Sequence, residues 1–209
     1  MKVLLVNGSS NEKGCTYTAL EEISKSLEEN GISTEIFQIG NEPVRDCSGC
    51  GCCMKHDGCI YNDDVVNKLV EKAKEADGFI FGSPVYYAHP AGRLLSVMDR
   101  AFRSGGKYFK FKPAAAIVSA RRAGTSASLD AITKHFSVSQ MPIVSSMYWT
   151  MVHGRLNSPE DVKQDLEGMQ VMRVLGKNMA WLLKCIEAGK NSGINHPEIE
   201  DKIMTNFIS

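Results

Sequence analysis

Five of the seven cysteines, Cys47, Cys50, Cys52, Cys53 and Cys59, fall within thirteen residues, while Cys15 and Cys185 stand alone. In a reducing compartment, clustered thiols more often hold metal or carry redox chemistry than form structural disulfides. A second constellation lies in the stretch NGSSNEKGCTYTAL, where Gly8, Ser9, Ser10, Gly14, Thr16 and Thr18 separate an aliphatic run from a helical pattern. Free backbone N–H groups and the positive end of a helix dipole favour a phosphate at such a turn, and the hydroxyls add neutral hydrogen bonds. A monophosphate suits it. The P-loop spacing is absent, because five residues separate Gly8 from Gly14 and Cys15 stands where the lysine would be. The G-x-G-x-x-G spacing is absent too, and Gln38-Ile39-Gly40 offers no acid for a ribose. An unspecialised polar loop is the alternative reading of this stretch alone.

The elements that position these residues follow from hydrophobic periodicity. Val3 to Val6 predicts a buried strand, and Leu20, Ile23 and Leu27 predict a helix closed near Asn30-Gly31. Ser33 to Ile39 alternates as a second strand. Residues 40–61 are irregular and carry the cysteines, and Asn62-Asp63-Asp64 caps a helix with Val65, Leu69 and Ala73 inward. Gly78 to Gly82 and Ala114 to Ser119 are too apolar for a one-sided sheet and predict inner parallel strands. Between them Gly92 to Arg103 is helical, with Leu94, Leu95, Met98 and Phe102 inward. Ser126 to His135 predicts another helix, and Met141 to Ser146 with Tyr148 to Val152 an interrupted last strand. From the cap at Ser158 one long helix is expected to reach about Glu187, with Val162, Leu166, Met169, Leu175, Met179 and Leu182 as its stripe, packing on the sheet or serving a dimer.

This alternation predicts an α/β fold: a doubly wound, parallel, five-stranded sheet with strand order 2-1-3-4-5, a cysteine-rich insertion after strand 2 and a long C-terminal helix. Residues 1–187 form the expected domain, and 188–209 a polar tail whose Asn206-Phe207-Ile208 is placed across a neighbouring subunit. Open α/β sheets bind ligands at the carboxyl edge of their strands. GSPVYYAHPAG follows the third strand, so Pro84, Val85, Tyr86 and Tyr87 stand there, with a tyrosine able to lie against a planar ring or simply to pack. SARRAG, Ser119 to Gly124, follows the fourth strand. Arg121 and Arg122 can neutralise an anionic ring or attract phosphates, or be solvated. His153-Gly154 lies just after the fifth strand, near enough to approach such a ring, although a structural role is the simpler reading for the histidine.

The 209 residues suffice for one well-packed domain. Formal net charge is zero and no block of like charge occurs, so neither nucleic acid nor an anionic membrane is the expected partner; a small molecule is. No apolar run approaches the roughly 18 residues of a membrane helix, and Met1 to Ser9 reads unlike a signal peptide, giving a cytoplasmic expectation.

GSSNEKGCT, GSPVYY and SARRAG, in that order and spacing, resemble the NADPH-dependent FMN reductase group of flavodoxin-like proteins over residues 1 to about 155. The resemblance implies that Ser9, Ser10, Cys15, Thr16, Tyr17 and Thr18 surround the FMN phosphate. It likewise implies that Pro84, Val85, Tyr86 and Tyr87, with Ser119, Ala120, Arg121, Arg122, Ala123 and Gly124, hold the ribityl chain and isoalloxazine. The loop departs from the commoner GSPRKNGNT form by lacking the arginine and carrying Cys15 in place of asparagine.

Cys47, Cys50, Cys53 and Cys59 reproduce C-x2-C-x2-C-x5-C, which resembles the compact motif of the iron-sulfur flavoproteins in the same superfamily and implies a [4Fe-4S] cluster. A structural loop, reduced or disulfide-bonded, and a zinc site are the alternatives. Cys52 and His56 are not assigned as ligands. The implied activity is an FMN-dependent NAD(P)H oxidoreductase, in which no side chain is named catalytic. Electrons from reduced FMN reach a quinone, a nitro or azo compound, or a flavin, with the cluster as a further route. A homodimer or higher homo-oligomer is expected. A flavodoxin-type carrier and a redox-sensing module are the competing classes.

Overall fold

The computed structural model describes residues 1–201 and 203–207. In chain order its elements are β1 (Lys2–Asn7), α1 (Cys15–Glu29), β2 (Ser33–Gln38), α2 (Val66–Glu75), β3 (Gly78–Tyr86), β4 (His89–Pro90), α3 (Gly92–Gly105), β5 (Ala114–Ala120), α4 (Thr125–Val138), β6 (Met151–His153), α5 (Pro159–Gln164) and α6 (Leu166–Asn191). Five parallel strands run β2-β1-β3-β5-β6, and β4 pairs antiparallel with the end of β3. The expected succession of parallel strands is present; only the numbering shifts, because the two-residue β4 lies where a loop was expected. The sheet is flavodoxin-like.

Successive side chains of a strand face opposite sides, so β1, buried on both faces, divides its residues between two cores. Leu4 and Val6, with Phe79, Phe81 and Ala116, pack beneath α2, α3 and α4 through Leu69, Leu94, Val97, Met98, Ile132 and Phe136. Val3 and Leu5, with Ile80 and Ile117, pack on the other face against Leu20, Ile23 and Leu27 of α1 and Met172, Leu175 and Met179 of α6. Each such side chain contributes about 1.5–3 kcal/mol by leaving water. The C-terminal helix therefore belongs to the sheet. Its Gly176 lets α1 approach, since a Cβ there would stand 2.7 Å from Ser26 Cβ.

Three expectations need correction. Strand β3 continues through Ser83–Tyr86, because Ser83 and Pro84 pair with Val118 and Ser119 of β5 and the next two residues pair with β4. The last strand is shorter than expected: Met141–Ser146 supplies only a bridge between Ile143 and Ala114. Backbone bonds remain on either side of that bridge, from Ala114 N to Pro142 O at 2.9 Å and from Val144 N to Ala114 O at 2.8 Å, and side chains add to them. Asn178 donates to Ser145 O at 2.9 Å, Ser146 to Val171 O at 2.7 Å, and Thr150 to Ala116 O at 2.6 Å.

The long helix, finally, is two helices. Asp165 leaves helical geometry (φ −74°, ψ 77°), and its carboxylate accepts from Gly168 N at 2.9 Å and from His153 N at 2.7 Å. An aspartate that can cap a new helix and bond a neighbouring strand competes successfully with helix continuation. Leu166 is consequently 76% exposed instead of inward.

Residues 194–201 and 203–207 carry neither helix nor strand, and Ile208 of the expected tail motif lies outside the described residues. Among the described residues no helix is long and apolar enough to cross a membrane.

Asp165→Ala removes both a cap and a strand anchor, so stability should fall by about 1–3 kcal/mol. Urea unfolding should show a lower midpoint with an unchanged slope; an unaltered midpoint would mean the break is set elsewhere.

Candidate functional site

At the carboxyl edge of the sheet, the turn from β1 into α1 is held by the protein's own hydrogen bonds. The amide of Gly8 donates to Gly82 O at 2.8 Å, and a Cβ on Gly8 would meet that oxygen at 2.7 Å, so only glycine permits the crossing. Asn7 and Gln38 brace the backbone of Ser9. Asn7 Oδ1 accepts from Ser9 N at 3.1 Å, Asn7 Nδ2 donates to Gln38 Oε1 at 2.5 Å, and Gln38 Nε2 donates to Ser9 O at 2.6 Å. Ser9 Oγ accepts from Asn11 N at 3.0 Å. The first helical bond of α1 runs from Thr18 N to Gly14 O at 3.0 Å, and no side chain caps the helix. The amides of Cys15, Thr16 and Tyr17 therefore lie outside the helix ladder, at its positive end.

Four loops border one crevice enclosing about 600 Å³ of open space. Ser9, Cys15 and Thr16 come from the first loop; Pro84, Val85 and Tyr86 from the end of β3; and Ser119, Ala120 and Arg121 from the end of β5. Thr16 and Ser119 join two of these walls through hydroxyls 2.8 Å apart. The other expected residues stand elsewhere. Ser10 is exposed and Tyr17 half-buried, and Thr18 is buried with its hydroxyl donating to Gly14 O at 3.2 Å. Tyr87 projects fully into solvent at the tip of the β3–β4 hairpin with φ 56°. Arg122 and Ala123 are exposed, and Gly124 is a left-handed cap (φ 85°) packed on Val85.

Of the fourth wall, Gly154, Arg155, Leu156 and Asn157, sequence reasoning placed only Gly154 near the crevice; the other three escaped it, as did Asn11. The available signal was topological: this loop follows a parallel strand, as the other walls do. It also explains Cys15. The thiol is turned onto the fourth wall, donating to Arg155 O at 3.3 Å and Ser158 O at 3.5 Å, while Asn11 Nδ2 donates to Asn157 Oδ1. Arg155 is clamped by Asp161 at 2.7 and 3.0 Å, and that guanidinium holds the Asp161 carboxyl far below the usual carboxylate range. His153 is oriented by Asp165 and does not line the crevice.

The cysteine segment forms a separate cavity of about 440 Å³, lined by Cys47, Cys50, Cys53 and Cys59 together with Tyr61, Arg100 and Arg103. All four cysteines of the spaced motif reach it, whereas Cys52 does not line it. All seven cysteines are free thiols. Among the described residues, no three Cys, His, Asp or Glu side chains converge on a point that would hold a single metal ion. The backbone amide of Cys52, then its thiol, pulls the exposed Cys50 thiol below its ordinary pKa, and Cys50 pushes Cys52 up.

Arg100 was also missed. Its Nε donates to Cys59 Sγ at 3.4 Å, its Nη1 to Arg45 O at 3.1 Å and to Asp64, and its Nη2 to Tyr61 O at 3.2 Å. Burial alone would lower its pKa; the bonds to Asp64 and Cys59 outweigh burial and raise it. An arginine three residues after Val97 and four before Ser104, on the apolar stripe of α3, was the signal.

Comparison with known proteins agrees with this layout. The family model for NADPH-dependent FMN reductase matches residues 1–155. An iron-sulfur flavoprotein of Methanocaldococcus jannaschii is 32% identical over 193 residues, 90% of this chain and 100% of the relative. An FMN-dependent NADPH-azoreductase of Staphylococcus saprophyticus is 32% identical over 114 residues, 54% of this chain and 57% of that one. Among solved structures, a flavone reductase aligns with TM-score 0.68 at 17% identity, covering 90% of this chain and 64% of that chain. An archaeal flavodoxin aligns with TM-score 0.58 at 16% identity, covering 88% and 99%. At those identities the structures show the shared fold.

Exposure and charge set an order of thiol reactivity. In reduced, iron-free protein, iodoacetamide should modify Cys50 first, and Cys59, tucked against Arg100, after Cys47 and Cys50. Peptide mass spectrometry over a time course reads the order, and early labelling of Cys59 would contradict it.

Proposed function

This chain belongs to the NADPH-dependent FMN reductase family, and we propose that it is an FMN-dependent oxidoreductase drawing electrons from NAD(P)H and delivering them to a small acceptor. The supporting observation is the convergence of the loops after β1, β3, β5 and β6 on one crevice at the uncapped N-terminus of α1. An anionic group is favoured at that terminus because three amides and the helix dipole point the same way. With no lysine in the loop, the amides of Cys15, Thr16 and Tyr17 and the hydroxyls of Ser9 and Thr16 would hold the phosphate. Such a set suits a monophosphate carried on a longer ligand, which the remaining length of the crevice accommodates.

Pro84, Val85 and Tyr86 on one side and Ser119, Ala120 and Arg121 on the other would border the ring. Apolar and aromatic surface excludes water there, and Arg121 adds positive charge at an exposed position. When bound, FMN supplies a ring that accepts two electrons from a hydride donor and releases them singly or in pairs. The protein binds, orients and shields; no side chain in the crevice is assigned as a proton donor.

The cysteine cavity fits an iron-sulfur cluster by its donor set: four thiols at short spacing around one space, with a buried cation beside one of them. Cys47, Cys50, Cys53 and Cys59 would hold a [4Fe-4S] group, supplying a one-electron station. A quinone, a nitro or azo compound, or a free flavin is the acceptor class, the azo case being supported by the reductase relative.

The phosphate seat predicts that flavin-free protein binds FMN at least about tenfold more tightly than riboflavin, an advantage of about 1.4 kcal/mol, as read by quenching of flavin fluorescence. Equal affinities would remove the phosphate from this loop. The enzymatic reading is tested by anaerobic mixing of the flavin-loaded protein with NADPH and with NADH. One of the two should bleach the flavin absorbance and sustain turnover of an added quinone or azo dye. Bleaching by neither, at rates above buffer controls, would leave an electron carrier or sensor instead.

A further inference from the structure

Among the described residues, the largest fully buried side chain is the cation of Arg100, at 1% exposure. A buried charge survives only when paired and hydrogen-bonded. The hydrogen-bond partners of its guanidinium, Arg45 O, Cys59 Sγ, Tyr61 O and the Asp64 carboxylate, all come from the cysteine segment or the turn that ends it. Two carbonyls and a carboxylate would suffice for a structural pin. The bond to sulfur is the unusual one, because a neutral thiol is a weak acceptor whereas a sulfur bearing negative charge is a good one. Metal-bound cysteine sulfur carries that charge.

We propose that Arg100 is a positioning residue for the cysteine cavity: it turns Cys59 Sγ toward the shared space and, by donating to that sulfur, raises the reduction potential of an iron-sulfur cluster seated there. The proposal rests on the cluster reading given above. Accepting one electron makes a cluster more negative, and a fixed cation with an N–H on a ligand sulfur stabilises the reduced form more than the oxidised one. Burial strengthens the effect by keeping screening ions away. The fork of arginine is required, since one lysine ammonium cannot reach the sulfur, the carboxylate and two carbonyls together.

The test uses the full chain purified anaerobically. Iron and acid-labile sulfide are measured first. Reductive titration, with one electron entering each cluster from the titrant, is then followed by electron paramagnetic resonance. Three proteins are compared: the unsubstituted chain, Arg100→Lys, and the neutral pair Arg100→Gln with Asp64→Asn, which avoids leaving a carboxylate buried alone. In the neutral pair the midpoint should fall by at least the equivalent of a tenfold change in the one-electron equilibrium constant, about 59 mV. Arg100→Lys should fall between it and the unsubstituted chain. Loss of iron from the neutral pair while Arg100→Lys keeps it also supports the positioning role. Equal midpoints at equal iron content overturn the role of Arg100 and leave the cluster standing. Absence of iron and sulfide from the unsubstituted chain overturns both, and is seen before any variant is made. If the neutral pair does not fold, Arg100→Lys alone decides: a lowered midpoint supports the proposal and an unchanged one overturns it.

Discussion

The contact on which the site depends is the crossing of two glycines. Gly8 N donates to Gly82 O at 2.8 Å, and neither position has room for a side chain: a Cβ on Gly82 would meet Thr16 Cγ2 at 2.9 Å. Because β1 and β3 are neighbours in the sheet, this crossing brings the loop after β1 down onto β3 instead of letting it splay. That descent places the N-terminus of α1 beside the end of β5, where Thr16 and Ser119 meet. A larger residue at either glycine would lift the loop, and the amides of α1 would then face water instead of the crevice.

What was legible in the sequence was whatever local chemistry dictates. Residues such as Val3 to Val6 and Phe79 to Phe81 announce inner strands because burial on both faces leaves no polar positions. Gly8, Ser9 and Thr16 announce a tightly folded loop because only small residues let one backbone cross another so closely. The even succession of strand and helix then limits the topology to the one found. The break at Asp165 was invisible, since an aspartate inside a helical stripe looks solvated until a strand amide, that of His153, arrives to bond it. Arg155, Leu156 and Asn157 were equally silent. Their role comes from where β6 ends, and no pattern within the segment records that.

The cysteine segment shows how an irregular insertion is kept in place. Ordering a residue costs about 1–2 kcal/mol in backbone entropy, and of this segment only Val44 and Cys59 pack against the main core. Its anchors are therefore polar, and they lie on elements that are themselves well packed. Arg93 of α3 donates to Gly40 O at 2.6 Å and Asn41 O at 2.8 Å. Asn67 of α2 brackets Cys59, accepting from its amide and donating to its carbonyl, each at 2.8 Å. Arg100 holds the middle. Cys59 is thus fixed from both sides, by a helix amide side chain and a buried guanidinium, while Cys47 and Cys50 stand exposed. Among the described residues, the other three thiols of the spaced motif stand on a glycine-rich turn without such anchors.

The four walls of the crevice differ in what supports them. Those after β1, β3 and β5 are continuations of strands buried on both faces, so moving them would disturb both cores. The wall from Gly154 to Asn157 follows the short edge strand β6 and is held by polar bonds: the Cys15 thiol on Arg155 O, Asn11 on Asn157, and the Arg155–Asp161 pair. Hydrogen bonds of this kind contribute about 0.5–1.5 kcal/mol each, and exposed ion pairs less. Local opening costs least where few apolar contacts must break. Of the four walls, this one is joined to the loop after β1 by polar bonds alone, and it is the one whose parting would disturb the two cores least.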